Sequence, residues 1–430
     1  MQRKLNALQV AALLVSASYG IGFLFGSGEM ALAHGMAGSL YGLATALGML
    51  VLALVAARLW RTGLPIWDLF DTTSGSRLKQ GVALLSVVWM SGVLATQIAG
   101  GVAVLELLGL PSVLAYTLVA GLIHGASRLD LHRAAIVLTL FLAASGAVLV
   151  LGLTAEQGGE IYRQAPVRFV ADLASFEPAV WMTSVVAIIA VVCTGADYHQ
   201  FVLAAKEPSA AIQGCILAGL CLAALSFLPP AVVMALKEGE GLASLGGSRQ
   251  VIPFALLRTA ESFGSVAGPI AGPVLLLGLS AAALGSGAAI LRVMTSALGA
   301  ATRGIEPATP ARRSLAALVL GSLLAARGQG IVATMVSVNA IYIGSIAVCF
   351  AALLARQTLS PARATRIMAA GFVASLGVYL LHWAGELGDR SDLYSLLAGL
   401  IASGLVFLAP VRWLHQGVPG PLHDKPRDLL

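Results

Sequence analysis

Charged residues are scarce in this chain: Asp, Glu, Lys and Arg together make up 11% of its 430 residues. Soluble globular domains carry about 25% charged residues, so this composition excludes a soluble globule. Instead, 58% of the residues are hydrophobic, and the mean hydropathy is +0.90. We therefore expect a protein embedded in the lipid bilayer.

Cysteines are also few, and familiar enzyme motifs are missing. The four cysteines, Cys193, Cys215, Cys221 and Cys349, all lie in apolar segments. Because these segments lie far from any loop exposed to an oxidising compartment, the cysteines do not suggest a disulfide framework. The sequence contains no His-Glu-x-x-His, Cys-x-x-Cys or Gly-x-Ser-x-Gly motif. We therefore expect neither an enzyme nor a bound cofactor.

Long apolar segments make up most of the chain. A membrane-spanning helix needs about 20 apolar residues, and the sequence offers twelve candidates. These are residues 7–30, 36–60, 81–108, 111–126, 132–155, 178–204, 209–236, 266–302, 312–326, 330–355, 361–384 and 392–414. The sequence thus predicts an all-α membrane protein of about twelve transmembrane helices.

The positive charges are divided unevenly between the two sides of such a protein. An even number of spans places both termini on one side, and that side holds 18 of the 26 Lys and Arg residues, against 7 on the other. Because positively charged loops stay in the cytoplasm, we expect both termini to be cytoplasmic in an inner membrane. This topology explains the net charge of +6, and no nucleic acid partner is needed.

Glycine interrupts two of the predicted spans at a similar depth. The first span contains Ser18-Tyr19-Gly20-Ile21-Gly22, and the sixth contains Cys193-Thr194-Gly195-Ala196-Asp197. Main-chain groups freed by such a break are tolerated only where they line a cavity. A matched pair of breaks is typical of the central site of a secondary transporter, although a simple kink is the alternative reading of each glycine.

The order of the spans predicts an internal repeat. Spans one to five and spans six to ten each make a set of five, which is an odd number. Because an odd number of spans ends on the other side of the membrane, the second set must enter from the side opposite to the first. We expect an inverted repeat of residues 7–155 and 178–357, two peripheral helices in 361–414, and a cytoplasmic tail in 415–430.

The sixth span carries Cys193-Thr194, then Gln200, then Ala205-Lys206. This order resembles the sodium:solute symporter family, in which a broken span ends in a Cys-Thr or similar pair, a Gln-Arg and an Ala-Lys. Gln97 is similar to the glutamine of that family's third span, and residues 281–286 resemble a small-residue run in its eighth. The resemblance implies the LeuT fold of the APC-like superfamily and ion-coupled transport of a small solute.

The same resemblance implies a sodium site between the first and eighth spans. Carried over residue by residue, its ligands are the main-chain carbonyls of Ser16, Tyr19 and Ala283 and the hydroxyl of Ser286. Gly287 stands where relatives have a second hydroxyl. A hard cation prefers several oxygen ligands, so we expect Na⁺ coupling through a weakened site. A proton-coupled or an ion-independent carrier is the alternative.

The residues expected to line the substrate site combine aromatic rings with few polar groups. They are Tyr19, Gly20, Phe23, Trp89, Gln97, Thr194, Tyr198, Asn339 and Tyr342. Sugar-carrying relatives have polar residues where this chain has Phe23, Gly195 and Ala196, and each unpaired sugar hydroxyl would cost about 1–3 kcal/mol. We therefore expect an amino acid or a carboxylate, bound by N–H groups at the start of a half-helix.

One basic residue, Arg292, lies within the eighth span, and an ionisable residue at this depth is a functional candidate. We expect it to pair with a buried carboxylate, and Asp197 is the first choice. Such a pair could serve in gating or in proton coupling, or it could simply fix two helices. Asp197 and His199 could instead form a proton relay.

Two functional classes are consistent with these features. The first is a secondary transporter. The second is a transporter-like membrane sensor that binds a solute without moving it. The expected partners are a small-molecule substrate and the lipid bilayer, and a monomer and a homodimer are both compatible with the sequence.

Overall fold

A computed structural model of the chain describes residues 3–70, 76–238, 250–302, 309–326, 331–388 and 390–409. Regular structure within these residues is helical, apart from an isolated bridge between Leu5 and Ala205. The predicted tail 415–430 and the end of the last predicted span lie outside the described residues.

The described residues of the first half form nine α-helices. They are α1 Ala7–Ser18, α2 Ile21–His34, α3 Leu40–Thr62, α4 Ile66–Leu69, α5 Arg77–Leu107, α6 Ser112–Ser127, α7 Leu131–Ala155, α8 Gly159–Arg163 and α9 Ala165–Asp172. Two 3-10 turns, Gly35–Ser39 and Leu173–Ser175, complete this half. Gly63, with φ of +65°, ends α3 in the left-handed conformation that glycine adopts without strain.

The second half contributes ten α-helices to the described residues. They are α10 Pro178–Thr194, α11 Ala196–Ala204, α12 Pro208–Ser226, α13 Leu228–Glu238, α14 Val251–Glu261, α15 Gly264–Ala301, α16 Pro310–Ala325, α17 Ile331–Leu354, α18 Pro361–Trp383 and α19 Ser391–Leu408. Four of these helices begin with a proline, whose fixed φ and missing N–H suit the first helical position.

Within the described residues, each of the twelve predicted spans coincides with a helix or with consecutive helices. By length and composition, eight described segments can cross a membrane, one of them running from α2 through α3. The bent pair α10 and α11, with an angle of 43°, makes a ninth, while α1 and α6 are shorter apolar helices. The chain is thus an all-α, multi-pass membrane protein.

Helix contacts in the first half have counterparts in the second half. The contact of α1 with α12 corresponds to that of α10 with α3, and α1 with α7 corresponds to α10 with α17. Likewise, α5 packs on α16 and α17 as α15 packs on α6 and α7. Exchanging the two sets of five spans therefore preserves these contacts, as an inverted repeat requires. The residue bounds of the two repeats stay a prediction.

Candidate functional site

The first break separates α1 from α2. Helical hydrogen bonding stops at the carbonyl of Val15, which accepts the N–H of Tyr19, and resumes at the carbonyl of Gly20. A Cβ on Gly20 would lie 2.5 Å from both Gln97 Oε1 and Ser286 Cβ. Glycine is needed here because side chains of α5 and α15 approach the backbone so closely.

Those two side chains bind main-chain groups that the first break releases. Gln97 Oε1 accepts the N–H of Ile21 at 2.8 Å. The Ser286 hydroxyl donates to the carbonyl of Ala17 at 2.7 Å. Helices α5 and α15 thus supply the partners that the interrupted helix cannot supply itself.

The second break separates α10 from α11 at Gly195, which is extended with φ −67° and ψ 125°. The carbonyl of Thr194 accepts the Tyr342 hydroxyl at 2.9 Å, and the carbonyl of Cys193 lies 2.8 Å from His199 Nε2. The carboxylate of Asp197, in the first turn of α11, accepts the N–H of Tyr198. Side chains therefore satisfy this break as well.

A small cavity lies between the two breaks. Its volume is about 20 Å³, which is room for about one water molecule. Seven of the residues expected at a substrate, ion or charge site line it: Phe23, Trp89, Gln97, Asp197, Tyr198, Ser286 and Asn339. The indole Nε1–H of Trp89 donates to Asn339 Oδ1.

The remaining candidate residues, apart from Arg292, lie behind this wall. Tyr19 is buried against the Phe23 ring, with 5.1 Å between ring centroids, while Thr194 and Tyr342 hydrogen-bond to each other. Ser16 donates its hydroxyl to the Leu138 carbonyl at 3.2 Å. Gly20 lies in the first break itself, and Ala283 is buried on α15.

Sequence reasoning missed several residues of the cavity wall, among them Tyr41 and Thr45 on α3 and Met335 on α17. Both helices are unbroken and carry no motif at these positions. A helical projection of the polar residues of α3 would have placed Tyr41 and Thr45 on one face, because they are four residues apart.

The expected ion pair between Arg292 and Asp197 is wrong. The Arg292 guanidinium donates to the carbonyls of Ser127 at 3.3 Å and Leu129 at 2.7 Å, where α6 ends. Unpaired carbonyls at a helix end are good acceptors for a cation. Asp197 instead lines the central cavity, and its Oδ1 has no hydrogen-bond partner among the described residues.

The expected relay between Asp197 and His199 has no direct hydrogen bond. His199 Nε2 is occupied by the Cys193 carbonyl, and Nδ1 has no partner. Both side chains are buried, but they hold different parts of the second break.

A much larger vestibule opens on one side of the central cavity. It has a volume of about 620 Å³ and lies among α2, α3, α10, α17 and the start of α19. Tyr41 and Ile188 line both the vestibule and the central cavity. These two side chains therefore form part of the partition between the two spaces.

On the opposite side, the N-terminal segment is bound to the end of α11. Leu5 accepts the N–H of Lys206 at 2.8 Å and donates its own N–H to Ala204 at 3.0 Å. The indole of Trp60 donates to the carbonyl of Ala205 at 2.7 Å. We call this contact between residues 4–6 and 204–206 the N-terminal strap.

Three solved structures resemble the whole chain. A Na⁺-coupled sialic acid symporter in a substrate-bound, outward-open state matches with a TM-score of 0.66 and 13% identity, over 95% of this chain and 91% of that one. Mhp1 is a nucleobase-cation-symport-1 family transporter in a closed conformation with bromovinylhydantoin bound. It matches with a TM-score of 0.62 and 16% identity, over 97% of this chain and 94% of that one. MhsT in complex with L-phenylalanine matches with a TM-score of 0.55 and 16% identity, over 95% of this chain and 99% of that one.

These similarities show that the chain has the LeuT fold, with broken first and sixth spans. No protein-family model matches the sequence, and no curated protein matches it significantly.

Proposed function

We propose that this protein is a secondary active transporter, a symporter that moves a small organic solute across the membrane by alternating access. The observation that carries the proposal is a central cavity between two broken helices, with a vestibule on one side and a strap on the other. A carrier needs such a site, which faces one side of the membrane while the other side is closed.

The proposed orientation follows from the positive charges. With both termini in the cytoplasm of an inner membrane, the N-terminal strap closes the cytoplasmic side and the vestibule faces outward. The conformation is then nearly occluded, because the central cavity of about 20 Å³ is too small for an organic solute. Transport would require Tyr41 and Ile188 to separate, and later the strap to open.

Na⁺ is the proposed coupling ion. The first break leaves the carbonyls of Ser16 and Tyr19 outside the helical hydrogen-bond ladder, and the Ser286 hydroxyl points to the neighbouring Ala17 carbonyl. Together with the Ala283 carbonyl, these oxygens are the kind of ligands that a hard cation prefers. Ile123 packs on the position of the missing second hydroxyl, since its Cδ1 lies 2.7 Å from where a Gly287 Cβ would be.

Within the proposed substrate class, an amino acid is favoured over a simple carboxylate. One N–H at the start of each half-helix already has an acceptor, Gln97 on α2 and Asp197 on α11, which disfavours a simple carboxylate there. The aromatic residues in the wall, including Phe23 and Trp89, favour a solute with an apolar part rather than a sugar.

Transport can be tested with the purified full chain in liposomes. A thermal-shift screen of amino acids, carboxylates, polyamines and nucleobases, with and without Na⁺, would select labelled solutes. We expect a selected solute to accumulate under an inward Na⁺ gradient and to exchange in counterflow. Stabilisation by a solute without any uptake or counterflow would contradict transport and favour the sensor.

A further inference from the structure

Asp197 is the only charged residue in the wall of the central cavity, among the residues that the structure describes. Asp197 is 1% exposed, and no residue in the described part of the chain hydrogen-bonds to its Oδ1. A buried carboxylate oxygen without a partner is costly, so in native proteins it usually meets a cation or a donor. Arg292, the expected partner, is held by the end of α6 and cannot serve.

We infer that Asp197 is the specificity residue of the central site and that it binds a protonated amine of the solute. The inference rests on the proposed function and deepens it. An ammonium group would donate to Oδ1, and the rest of the solute would lie toward the vestibule. An amine alone and an amino acid share this chemistry, and the binding of matched probes separates them.

The other side chains around Asp197 suit an organic ammonium better than a small inorganic ion. Four aromatic rings line the same cavity, those of Phe23, Tyr41, Trp89 and Tyr198. The faces of aromatic rings attract ammonium groups when water is excluded. A hard inorganic cation prefers several oxygen ligands, and much of this wall is aromatic or aliphatic.

The access route has the same sign of charge as the site. Two acidic residues, Glu29 and Asp392, line the described wall of the vestibule, and no basic residue lines it. Arg390, two residues before Asp392, is bound by Glu177 at 2.6 Å. A route lined by one sign of charge concentrates solutes of the opposite sign, and the vestibule and the cavity therefore favour the same class of solute.

At each half-helix start, one N–H that could bind an anion is already bound. Positive helix ends normally attract anions, but the N–H of Ile21 is bound by Gln97 and that of Tyr198 by Asp197 itself. A solute carboxylate would meet an uncompensated negative charge at Asp197. An amino acid is tolerated only if its ammonium contacts Asp197 and its carboxylate points away.

Four probes of matched shape separate the possibilities: 2-phenylethylamine, 2-phenylethanol, 3-phenylpropanoate and L-phenylalanine. Binding to the full chain in detergent would be measured by thermal shift and isothermal calorimetry, at fixed Na⁺. The variants are Asp197→Asn, which keeps the shape of the side chain, and Glu160→Gln, a control that neutralises an exposed residue outside the cavity.

We expect the amine or the amino acid to bind more tightly than the alcohol and the carboxylate. Asp197→Asn should weaken that binding by about 10- to 100-fold, as expected for loss of a charged hydrogen bond, and Glu160→Gln should not. If only L-phenylalanine binds, the solute class is amino acids; if the amine binds as well, it is organic cations.

Several results would overturn the inference: no binding by any probe, a preference for the carboxylate or the alcohol, or undiminished binding of the amine by Asp197→Asn. Loss of Na⁺ affinity in Asp197→Asn with the solute preference unchanged would also overturn it, by making Asp197 an ion ligand. Amine binding that depends on Asp197 without any counterflow would leave the inference standing and contradict transport.

Discussion

The side-chain oxygen of Gln97 lies 2.8 Å from the main-chain nitrogen of Ile21 and accepts the first N–H of helix α2. A residue of the third span thus completes a helix that the first span leaves interrupted. The same oxygen is so close to Gly20 that a Cβ there would lie 2.5 Å away. Any motion of α2 during transport must therefore carry Gln97 along or break this hydrogen bond.

Replacing Gln97 with leucine should destabilise the protein and abolish uptake. The N–H of Ile21 would be left buried without an acceptor, at a cost of about 1–3 kcal/mol. Denaturant unfolding in detergent would measure the loss. The control is Gln213→Leu, because Gln213 is exposed on α12. Equal stability of the two variants would show that the hydrogen bond from Ile21 to Gln97 contributes nothing to the stability of the protein.

Much of the fold could be predicted from the sequence because the membrane imposes it. Apolar segments of sufficient length must be helices, and the glycines at 20 and 195 marked both breaks. The partners of the breaks are a different matter. Gln97 and Tyr342 are far from the breaks in sequence, and only the packing of α5 and α17 brings them there.

The misjudged partner of Arg292 has the same cause. Opposite charges at similar depth suggested a pair with Asp197, but depth does not determine which face of a helix a residue occupies. Arg292 faces the end of α6, whereas Asp197 faces the cavity. Main-chain carbonyls at a helix end leave no signal in the sequence, because every residue has one.

Ser286→Ala should weaken the activation of uptake by Na⁺. The hydroxyl that points to the Ala17 carbonyl would be lost, removing the only side-chain oxygen of the proposed ion site. We expect the Na⁺ concentration for half-maximal uptake to rise about tenfold, which corresponds to about 1.4 kcal/mol. Ser280→Ala is a matched control, because its hydroxyl bonds within α15 to Leu276. An unchanged Na⁺ dependence would exclude Ser286 as a ligand.

Gly195→Ala should impair both folding and solute binding. Its Cβ would lie 2.6 Å from Asp197 Oδ1 and 2.8 Å from the carbonyl of Val191, and such overpacking costs about 1–3 kcal/mol. Gly146→Ala on α7 is the control, because nothing lies within 4 Å of its Cβ position. That change should be neutral or stabilising, by up to about 1 kcal/mol. Binding of the selected solute and thermal stability would both be measured, and wild-type values for Gly195→Ala would contradict the close packing at the second break.

Arg292→Met should lower stability more than it lowers the turnover of folded protein. The carbonyls of Ser127 and Leu129 would lose their donor, and the end of α6 would lose a favourable cation. Arg133→Met removes an equivalent side chain that is 77% exposed and should have little effect. Uptake per folded molecule separates a structural role of Arg292 from a role in gating. An unaltered melting temperature with lost uptake would make Arg292 a gating residue.

Trp60→Phe should loosen the N-terminal strap without unfolding the protein. The indole N–H that binds the Ala205 carbonyl would be lost, while an aromatic ring would remain. A neutral hydrogen bond contributes about 1 kcal/mol, so the strap should open about fivefold more often. Hydrogen exchange reports such local opening, and the amides to follow are those of Leu5 and Lys206, which bond across the strap.

Faster exchange at these amides has a consequence for transport, because we propose that the strap closes the side opposite the vestibule. If strap opening limits solute release, Trp60→Phe should also raise the rate of counterflow, since the closed state would be less favoured. Trp383→Phe is the control, on a tryptophan that is 52% exposed on α18. Faster exchange confined to the strap, with counterflow unchanged, would show that strap opening is not the slow step. Unchanged exchange would show that Trp60 does not hold the strap closed.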